Sequence, residues 1–200
     1  MTITVIKPGL QSTIQSRPRV GLRYQGVPAS GAADPLSLAL ANRLLGNEWD
    51  APALEATLLG PTLRFERECA FAVTGAVAEV TLNGDRIQAH ESRGASAGDE
   101  LAIGAAELGA RIYVAVPGGF AADDILGSAS TNLQAGFGGL QGRALATGDV
   151  LRCDSVAVEP ARTPDAFRLP MSSTWALRTC TSSETDLLDD DSLDHLFNTN

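Results

Sequence analysis

The stretch FAVTGAVAEVTLNGDRI, residues 71–87, decides the fold class of this chain. It is rich in strand-forming residues, and Asn83-Gly84 separates the runs VTL and RI. Both central residues of a type I′ turn need a positive φ, which Asn and Gly tolerate well. Asn-Gly between two apolar runs is therefore a strong hairpin signal, and it predicts a β-hairpin that turns at Asn83-Gly84.

Further strand patterns lie on both sides of this hairpin. Residues 100–116, ELAIGAAELGARIYVAV, are interpreted as two strands joined by a glycine-containing turn. Four more short strands are predicted from TITVI, ALEATL, TLRFE and DVLRC. Strands and helices do not alternate and no fixed internal repeat is found, so a mainly β barrel or sandwich is predicted.

One helix is predicted, within GVPASGAADPLSLALANRLLGN at residues 26–47. Asp34 can cap its start, Pro35 suits the first helical position, and Gly46 can adopt the left-handed conformation that ends a helix. One face of this helix carries three leucines spaced four residues apart: Leu36, Leu40 and Leu44.

The small-residue loop PASGAA before this helix has two interpretations. A helix N-terminus presents free N–H groups and a partial positive charge, which suit a carboxylate or a phosphate. Alternatively, the small residues only allow tight packing where the chain enters the helix. The loop sequence by itself leaves both interpretations open.

The amino-acid composition limits the classes of function that this chain can have. The chain has 200 residues, of which 44% are hydrophobic and 20% charged, and this suits one complete domain and a remainder. A net charge of -9 argues against nucleic-acid binding. No apolar run reaches the roughly 20 residues of a membrane span. The N-terminus lacks the features of a signal peptide, so a cytoplasmic location without membrane contact is expected.

The acidity is concentrated at the C-terminal end. From Thr181 onward there are six acidic residues and no lysine or arginine. Because these carboxylates repel one another, residues 181–200 are expected to be poorly ordered or loosely docked.

Several common chemical motifs are excluded. GASAG at 94–98 matches Gly-x-Ser-x-Gly, but a turn and a strand follow it where a nucleophile elbow needs a helix, so it is interpreted as a chance match. The glycine-rich runs 118–120 and 136–142 miss the dinucleotide-binding spacing, and the chain has no P-loop. We therefore expect no tight ATP binding by the chain alone. These glycines favour close approach of the backbone to a ligand or to another chain segment.

Metal chemistry is also constrained. The chain has two histidines and three cysteines with no Cys-x-x-Cys pair, so no metal site is predicted and buried free thiols are expected. Three carboxylates near the glycine-rich loops remain candidates for acid–base chemistry: Asp34, Glu55 and Asp149.

The order of the motifs resembles the carboxyltransferase-domain family. This family includes the C component of 5-oxoprolinase, allophanate hydrolase subunit 2, the urea carboxylase carboxyltransferase domain and the antagonist of a sporulation kinase inhibitor. The resemblance covers about residues 3–155 and rests on VIKPGLQSTIQ, GVPASGAADPLSLALANRLLGN, ALEATLLGPTLRF, PGGF and LGSASTNLQAGFGGLQGRALATGDVL.

The resemblance implies a domain organisation. Residues 1–157 are expected to form a cyclophilin-like β-barrel with one prominent helix, residues 158–174 a linker, and residues 175–200 the start of a second, incomplete barrel. Family members have two barrels with the substrate cleft between them. Because this chain stops at Asn200, an apparent truncation within the second barrel is expected.

The resemblance also implies a function. It indicates a subunit of a biotin-dependent-carboxyltransferase-like or ATP-dependent 5-oxoprolinase-type amidohydrolase (a hydrolase), acting on a small amide or lactam carboxylate. The implied partner is a subunit 1 homologue, of the type found as the B component of 5-oxoprolinase. The alternative is a non-catalytic binding or regulatory protein, of the kinase-inhibitor-antagonist type, or a degenerate fragment.

The implied cofactor use is limited. The assembled enzyme would bind and use ATP, whereas this chain alone is expected to hold no cofactor. Lys7 is the sole lysine and has no methionine beside it, so the chain is not expected to carry biotin.

The resemblance assigns candidate site residues. The run GVPASGAAD, residues 26–34, is similar to the signature loop of the family. Ser30 and Asp34 in this loop are the catalytic candidates. The substrate-binding candidates are Arg19, Gly31, Asn42, Glu55, Ser130, Thr131 and Arg143.

This sequence departs from the family pattern in two runs. Ser16 and Pro18 replace an Asp and a Gly of the family pattern. Asn132, Gln134 and Ala135 replace a Tyr, an Arg and a Gly. Loss of that arginine bears on carboxylate recognition, because glutamine cannot copy a planar, charged fork.

Overall fold

A computed structural model describes residues 1–154, 158–168, 170–174 and 180–198 of this chain. In these ranges the chain forms a nine-stranded sheet and two α-helices. The strands are β1 (Thr2–Lys7), β2 (Gln11–Gln15), β3 (Ala53–Thr57), β4 (Thr62–Phe65), β5 (Cys69–Leu82), β6 (Asp85–Arg86), β7 (Ser92–Ala95), β8 (Glu100–Ala115) and β9 (Val150–Arg152). The helices are α1 (Pro35–Arg43) and α2 (Asp190–Asn198).

The prediction of a mainly β fold with one prominent helix before residue 158 is confirmed. The sheet curls into a half-barrel with strand order β2-β3-β8-β4-β1-β9, and β5 joins it through β8 and carries β6 and β7. Each of the four short strands predicted from TITVI, ALEATL, TLRFE and DVLRC is present, as β1, β3, β4 and β9.

The predicted hairpin is confirmed at the predicted turn. Leu82 pairs with Asp85 across it. Asn83 and Gly84 both have positive φ, 54° and 87°, as a type I′ turn requires.

The prediction of two strands over residues 100–116 is wrong, because this segment is the single strand β8. Register irregularities between β5 and β8 take up the extra residues. A β-bulge bends and twists a strand without ending it, so Gly109 lies at a bend and not in a hairpin turn. One end of β8 pairs with β4 and the other with β3, and this bend therefore helps to curl the sheet.

The curled sheet encloses the main apolar core. Ile3, Leu63, Phe65 and Phe71 are buried there, and the two phenylalanine rings lie 5.3 Å apart between centroids. Burial of such side chains supplies the main stabilisation of the fold.

A second apolar cluster packs α1 against β5 and β8. The helix contributes Leu38, Ala41 and, just beyond its end, Leu45 to this contact. Of the predicted leucine face, Leu44 is buried and belongs to this cluster, whereas Leu36 is 45% exposed and lines a surface cavity together with Leu40. The helix thus uses one face for the core and presents the other at the surface.

Residues 117–148 join β8 to β9 in the chain and form hydrogen bonds with both edge strands of the half-barrel, β2 and β9. The N–H of Thr131 donates to the carbonyl of Ile14 on β2 (2.9 Å), and the N–H of Ala121 donates to the carbonyl of Arg152 on β9 (2.8 Å). A Cβ on Gly139 would collide with the Thr131 hydroxyl. Here the glycines allow close approach between chain segments, which is one of the two alternatives that the sequence left open.

Local structure decides two of the motif interpretations. After the GASAG match a turn leads into β8, so the chance-match interpretation is confirmed. Cys69 and Cys153 are buried as expected, whereas Cys180 is exposed and that part of the expectation is wrong. In the described ranges, no helix is long and apolar enough to cross a membrane.

The predicted domain boundaries stay predictions. Residues 175–179 and 199–200, within the expected start of a second barrel, lie outside the described residues. The described part of that segment contains α2, which buries none of its residues. The expected loose docking of residues 181–200 also stays a prediction.

Candidate functional site

The signature loop, residues 26–34, is held from two sides. The carbonyl of Ala29 accepts a hydrogen bond from the Arg19 N–H (2.7 Å), and the N–H of Ala33 donates to Glu55 Oε2 (2.8 Å). Ser30 lies between these two attachments with a positive φ of 52°. The loop is thus fixed between two polar groups of residues, which we call the Arg19 cluster and the Glu55 network.

The Glu55 network comprises Glu55, Tyr113 and the backbone of residues 33–34. Glu55 on β3 pairs directly with Tyr113 on β8, and both side chains are buried. The Tyr113 hydroxyl donates to Glu55 Oε2 (2.7 Å) and accepts from the Asp34 N–H (2.8 Å). Burial and the neighbouring Glu55 raise the pKa of Tyr113, so the phenol stays protonated and keeps donating. The network fixes the start of α1 relative to the sheet.

Asp34 caps α1, as predicted. Its Oδ1 accepts a hydrogen bond from the Ser37 N–H (3.0 Å), and its Oδ2 accepts one from the Ser37 hydroxyl. The Thr74 hydroxyl on β5 donates a hydrogen bond to the Ser37 carbonyl (2.7 Å). The carboxylate is therefore positioned by the first turn of a helix that is itself attached to β5.

The Arg19 cluster is built around an arginine that is 1% exposed. Its Nε donates to the carbonyl of Ile125 (2.8 Å), and its Nη2 donates to the carbonyls of Ser128 (2.9 Å) and Ser130 (2.7 Å). The guanidinium also lies 4.7 Å from the centroid of the Phe137 ring. Arg19 therefore links the chain before the signature loop to residues 125–130.

One nitrogen of the Arg19 guanidinium lacks a hydrogen-bond acceptor in the described part of the chain. Its Nη1 is buried and has no hydrogen-bond partner within the residues that the structure describes. Burial lowers the pKa of the guanidinium, since a charge loses hydration there. In the same cluster, the Ser130 hydroxyl accepts from the Ser16 N–H (2.9 Å) and lies 3.3 Å from the Ser16 hydroxyl. The cluster thus combines a positive charge with two hydroxyl groups.

The structure brings together most of the candidates. Arg19 and Ser130 share one cluster, Asp34 and Glu55 share the other, and the signature loop with Ser30 and Gly31 joins them. Thr131 lies beside the Arg19 cluster, where its hydroxyl donates to the Ile14 carbonyl (2.9 Å).

Asn42 and Arg143 lie apart from these clusters. Asn42 Nδ2 donates to the Ala51 carbonyl (2.9 Å) and therefore anchors the loop after α1. Arg143 forms a two-pronged ion pair with Asp149, with N–O distances of 2.7 and 2.8 Å. The Arg143 hydrogen bond lowers the pKa of Asp149. In this structure both side chains hold loops, and their predicted role in substrate binding stays a prediction.

Sequence reasoning missed Tyr113 and the carbonyl groups around Arg19. Tyr113 would have been found from the register that sets it opposite Glu55, but the sequence does not specify which residues pair between β3 and β8. Backbone carbonyl groups that accept hydrogen bonds leave no signal in the sequence, because every residue has one. Among the described residues, no group of three or more His, Cys, Asp or Glu is arranged to hold a metal ion.

The Glu55 network yields a stability prediction. We expect Glu55→Ala to lower the free energy of unfolding by about 2–4 kcal/mol, because it removes the acceptor of the buried Tyr113 hydroxyl and of the Ala33 N–H. Urea denaturation would measure the change. Glu66→Ala is the matched control: Glu66 pairs with Arg64 at the surface, and we expect a much smaller loss. Equal losses in both variants would contradict a structural role for the network.

A family model matches most of this chain. The model named carboxyltransferase domain, subdomain A and B, matches residues 25–200. The chain belongs to the carboxyltransferase domain family. The resemblance first inferred from the motifs is thus confirmed.

Relatives of this carboxyltransferase domain are large proteins or components of multi-subunit enzymes. Urea amidolyase of Lachancea kluyveri is 43% identical over 148 residues, which are 74% of this chain and 8% of that protein. The C component of the Escherichia coli K12 5-oxoprolinase is 40% identical over 149 residues, which are 74% of this chain and 48% of that protein. This chain therefore matches about half or less of each of these relatives.

A solved structure agrees with the fold of this carboxyltransferase domain. The crystal structure of the K. lactis urea amidolyase aligns with 98% of the chain and 13% of its own, with a TM-score of 0.90 and 35% identity. The alignment extends over more of the chain than the half-barrel alone.

Proposed function

We propose that this carboxyltransferase domain serves a cytoplasmic, ATP-dependent amidohydrolase of the 5-oxoprolinase type, acting on a small amide or lactam carboxylate. A homologue of the 5-oxoprolinase B component would be its partner, and ATP would be used by the assembled enzyme. The observation that carries the proposal is the signature loop, held between the Arg19 cluster and the Glu55 network in a chain 40% identical to the C component of a 5-oxoprolinase.

The loop offers suitable groups for this chemistry. Hydrolysis of an amide develops negative charge on the carbonyl oxygen, and fixed donors stabilise that charge. Ser30 carries a hydroxyl on the loop, and the first turn of α1 presents N–H groups of partial positive charge. Asp34, held at the same helix start, can orient the substrate or accept a proton. In this proposal the two clusters fix these groups before substrate arrives.

One observation favours a second candidate, a non-catalytic binding or regulatory protein. Where the family pattern has Tyr and Arg, this chain has Asn132 and Gln134. Asn132 Oδ1 accepts from the Ala135 N–H (3.0 Å), which closes a local turn, and Gln134 is exposed. A domain of this kind keeps the fold and the signature loop but lacks the arginine whose planar guanidinium would bind a carboxylate through two hydrogen bonds.

A chimera separates the two candidates. The matched segment of the E. coli 5-oxoprolinase C component would be replaced by the corresponding residues of this chain and assembled with its partners. We expect ATP-dependent release of glutamate from 5-oxoproline. A chimera that assembles with the partners but shows no turnover would contradict the enzymatic proposal and support the second candidate.

A further inference from the structure

A cavity of 280 Å³ lies beside α1, between the helix, the sheet and the segment that carries Arg168 and Met171. Apolar side chains from the helix, β5, β8 and the C-terminal segment form much of its wall: Leu36, Leu40, Val77, Leu108 and Met171. Met171 is seated against the bend of β8, where a Cβ on Gly109 would lie 3.0 Å from its sulfur. The cavity is thus a small surface cavity with a largely apolar wall.

Two basic side chains in this wall have buried atoms without a hydrogen-bond partner among the described residues. His90 Nδ1, Arg168 Nε and Arg168 Nη2 make no hydrogen bond to any residue that the structure describes. Arg168 makes an ion pair with Asp165, at 3.7 Å, but that carboxylate is 81% exposed. A buried donor without a partner costs about 1–3 kcal/mol, and such groups call for a bound molecule or water.

The backbone holds His90 in place. Its φ of 64° is unusual for a residue other than glycine. Its N–H donates to the Val73 carbonyl (2.7 Å), and its carbonyl accepts from the Thr163 N–H (2.9 Å). His90 therefore connects β5 to the segment after residue 158 and is fixed at the edge of the cavity.

The charge state of the cavity follows from its residues. Burial, and then the nearby Arg168, lower the pKa of His90, so its imidazole is neutral near pH 7 and keeps one N–H to donate. Arg168 supplies the positive charge. Asp34 also lines the cavity, and it disfavours a ligand with a second negative charge.

We propose that this cavity binds a small organic monocarboxylate, with its carboxylate on Arg168 and His90 and its apolar body against the leucine face of α1. An arginine fork matches the two oxygens of a carboxylate and can donate to both. The inference rests on the proposed function and deepens it, since a lactam carboxylate is itself a monocarboxylate and Asp34 lines the cavity, but its test measures binding without turnover and can fail independently.

The test is a binding measurement on the full chain, without turnover. Titration calorimetry and thermal shift would use hexanoate as the probe, with hexanol, adipate and inorganic phosphate as comparisons. We expect hexanoate to bind and to raise the melting temperature with concentration, and each comparison to bind at least tenfold more weakly. Absence of hexanoate binding, or equal binding of hexanol, would overturn the proposal.

Variants locate the site. We expect Arg168→Gln to weaken hexanoate binding at least tenfold and Arg168→Lys, which keeps the charge but not the fork, to weaken it less. Arg162→Gln is the matched control, since Arg162 lies on the same segment but lines a neighbouring cavity. It should bind hexanoate as the unmodified chain does. Unchanged binding in Arg168→Gln, with its fold confirmed by circular dichroism, would place the ligand elsewhere and overturn the proposal.

Discussion

Replacing Asp34 by asparagine is expected to reduce ATP-dependent turnover of the chimeric 5-oxoprolinase by about 100-fold or more, the size of a lost acid–base group. The melting temperature should stay almost unchanged. Asparagine caps a helix about as well as aspartate, so the hydrogen bond from the Ser37 N–H can persist. Glutamate release and differential scanning calorimetry would measure the two effects.

Asp34→Ala provides the comparison. It should lose both turnover and about 1 kcal/mol of stability, because alanine cannot cap α1. Full turnover by the asparagine variant would show that Asp34 is only a cap and that the assignment of Asp34 as catalytic is wrong. We expect no measurable turnover by the 200-residue chain alone, before any substitution.

Replacing Arg19 by methionine is expected to lower the free energy of unfolding by about 3–5 kcal/mol, the largest stability effect that we anticipate. The side chain is 1% exposed and donates to the carbonyls of Ile125, Ser128 and Ser130, and methionine would remove all three hydrogen bonds. Methionine keeps much of the volume, so the loss would report the hydrogen bonds and charge more than a cavity. Urea unfolding followed by tryptophan fluorescence would measure it.

Arg23→Met is the matched control, because Arg23 is exposed. Its effect should stay within about 0.5 kcal/mol. If the Arg19 and Arg23 variants were equally stable, the link between the signature loop and residues 125–130 would be dispensable, and a role for Arg19 in holding the site would be excluded.

The features that the sequence predicted correctly are set by local chemistry. The Asn83-Gly84 turn and the Asp34 cap each depend on residues within a few positions of one another. The error over residues 100–116 has a non-local cause. Whether Gly109 turns the chain back or only bends it depends on β5, which lies more than 25 residues earlier and pairs along β8.

The candidate site was predictable only in part for the same reason. The motifs indicated the signature loop and several residues around it, including Arg19 and Glu55. They did not indicate Tyr113, because its contact with Glu55 depends on strand register. Nor did they indicate that Arg19 is held by backbone carbonyls, because any residue type supplies that group.

The pairing of β1 with β9 has a consequence for how the protein is made. Thr4 lies opposite Val150, so one edge of the first strand of the half-barrel stays open until β9 has left the ribosome. An open strand edge is a template for pairing with other chains. The time needed to synthesise residues 8–149 therefore sets how long this edge of a growing chain stays without its partner strand.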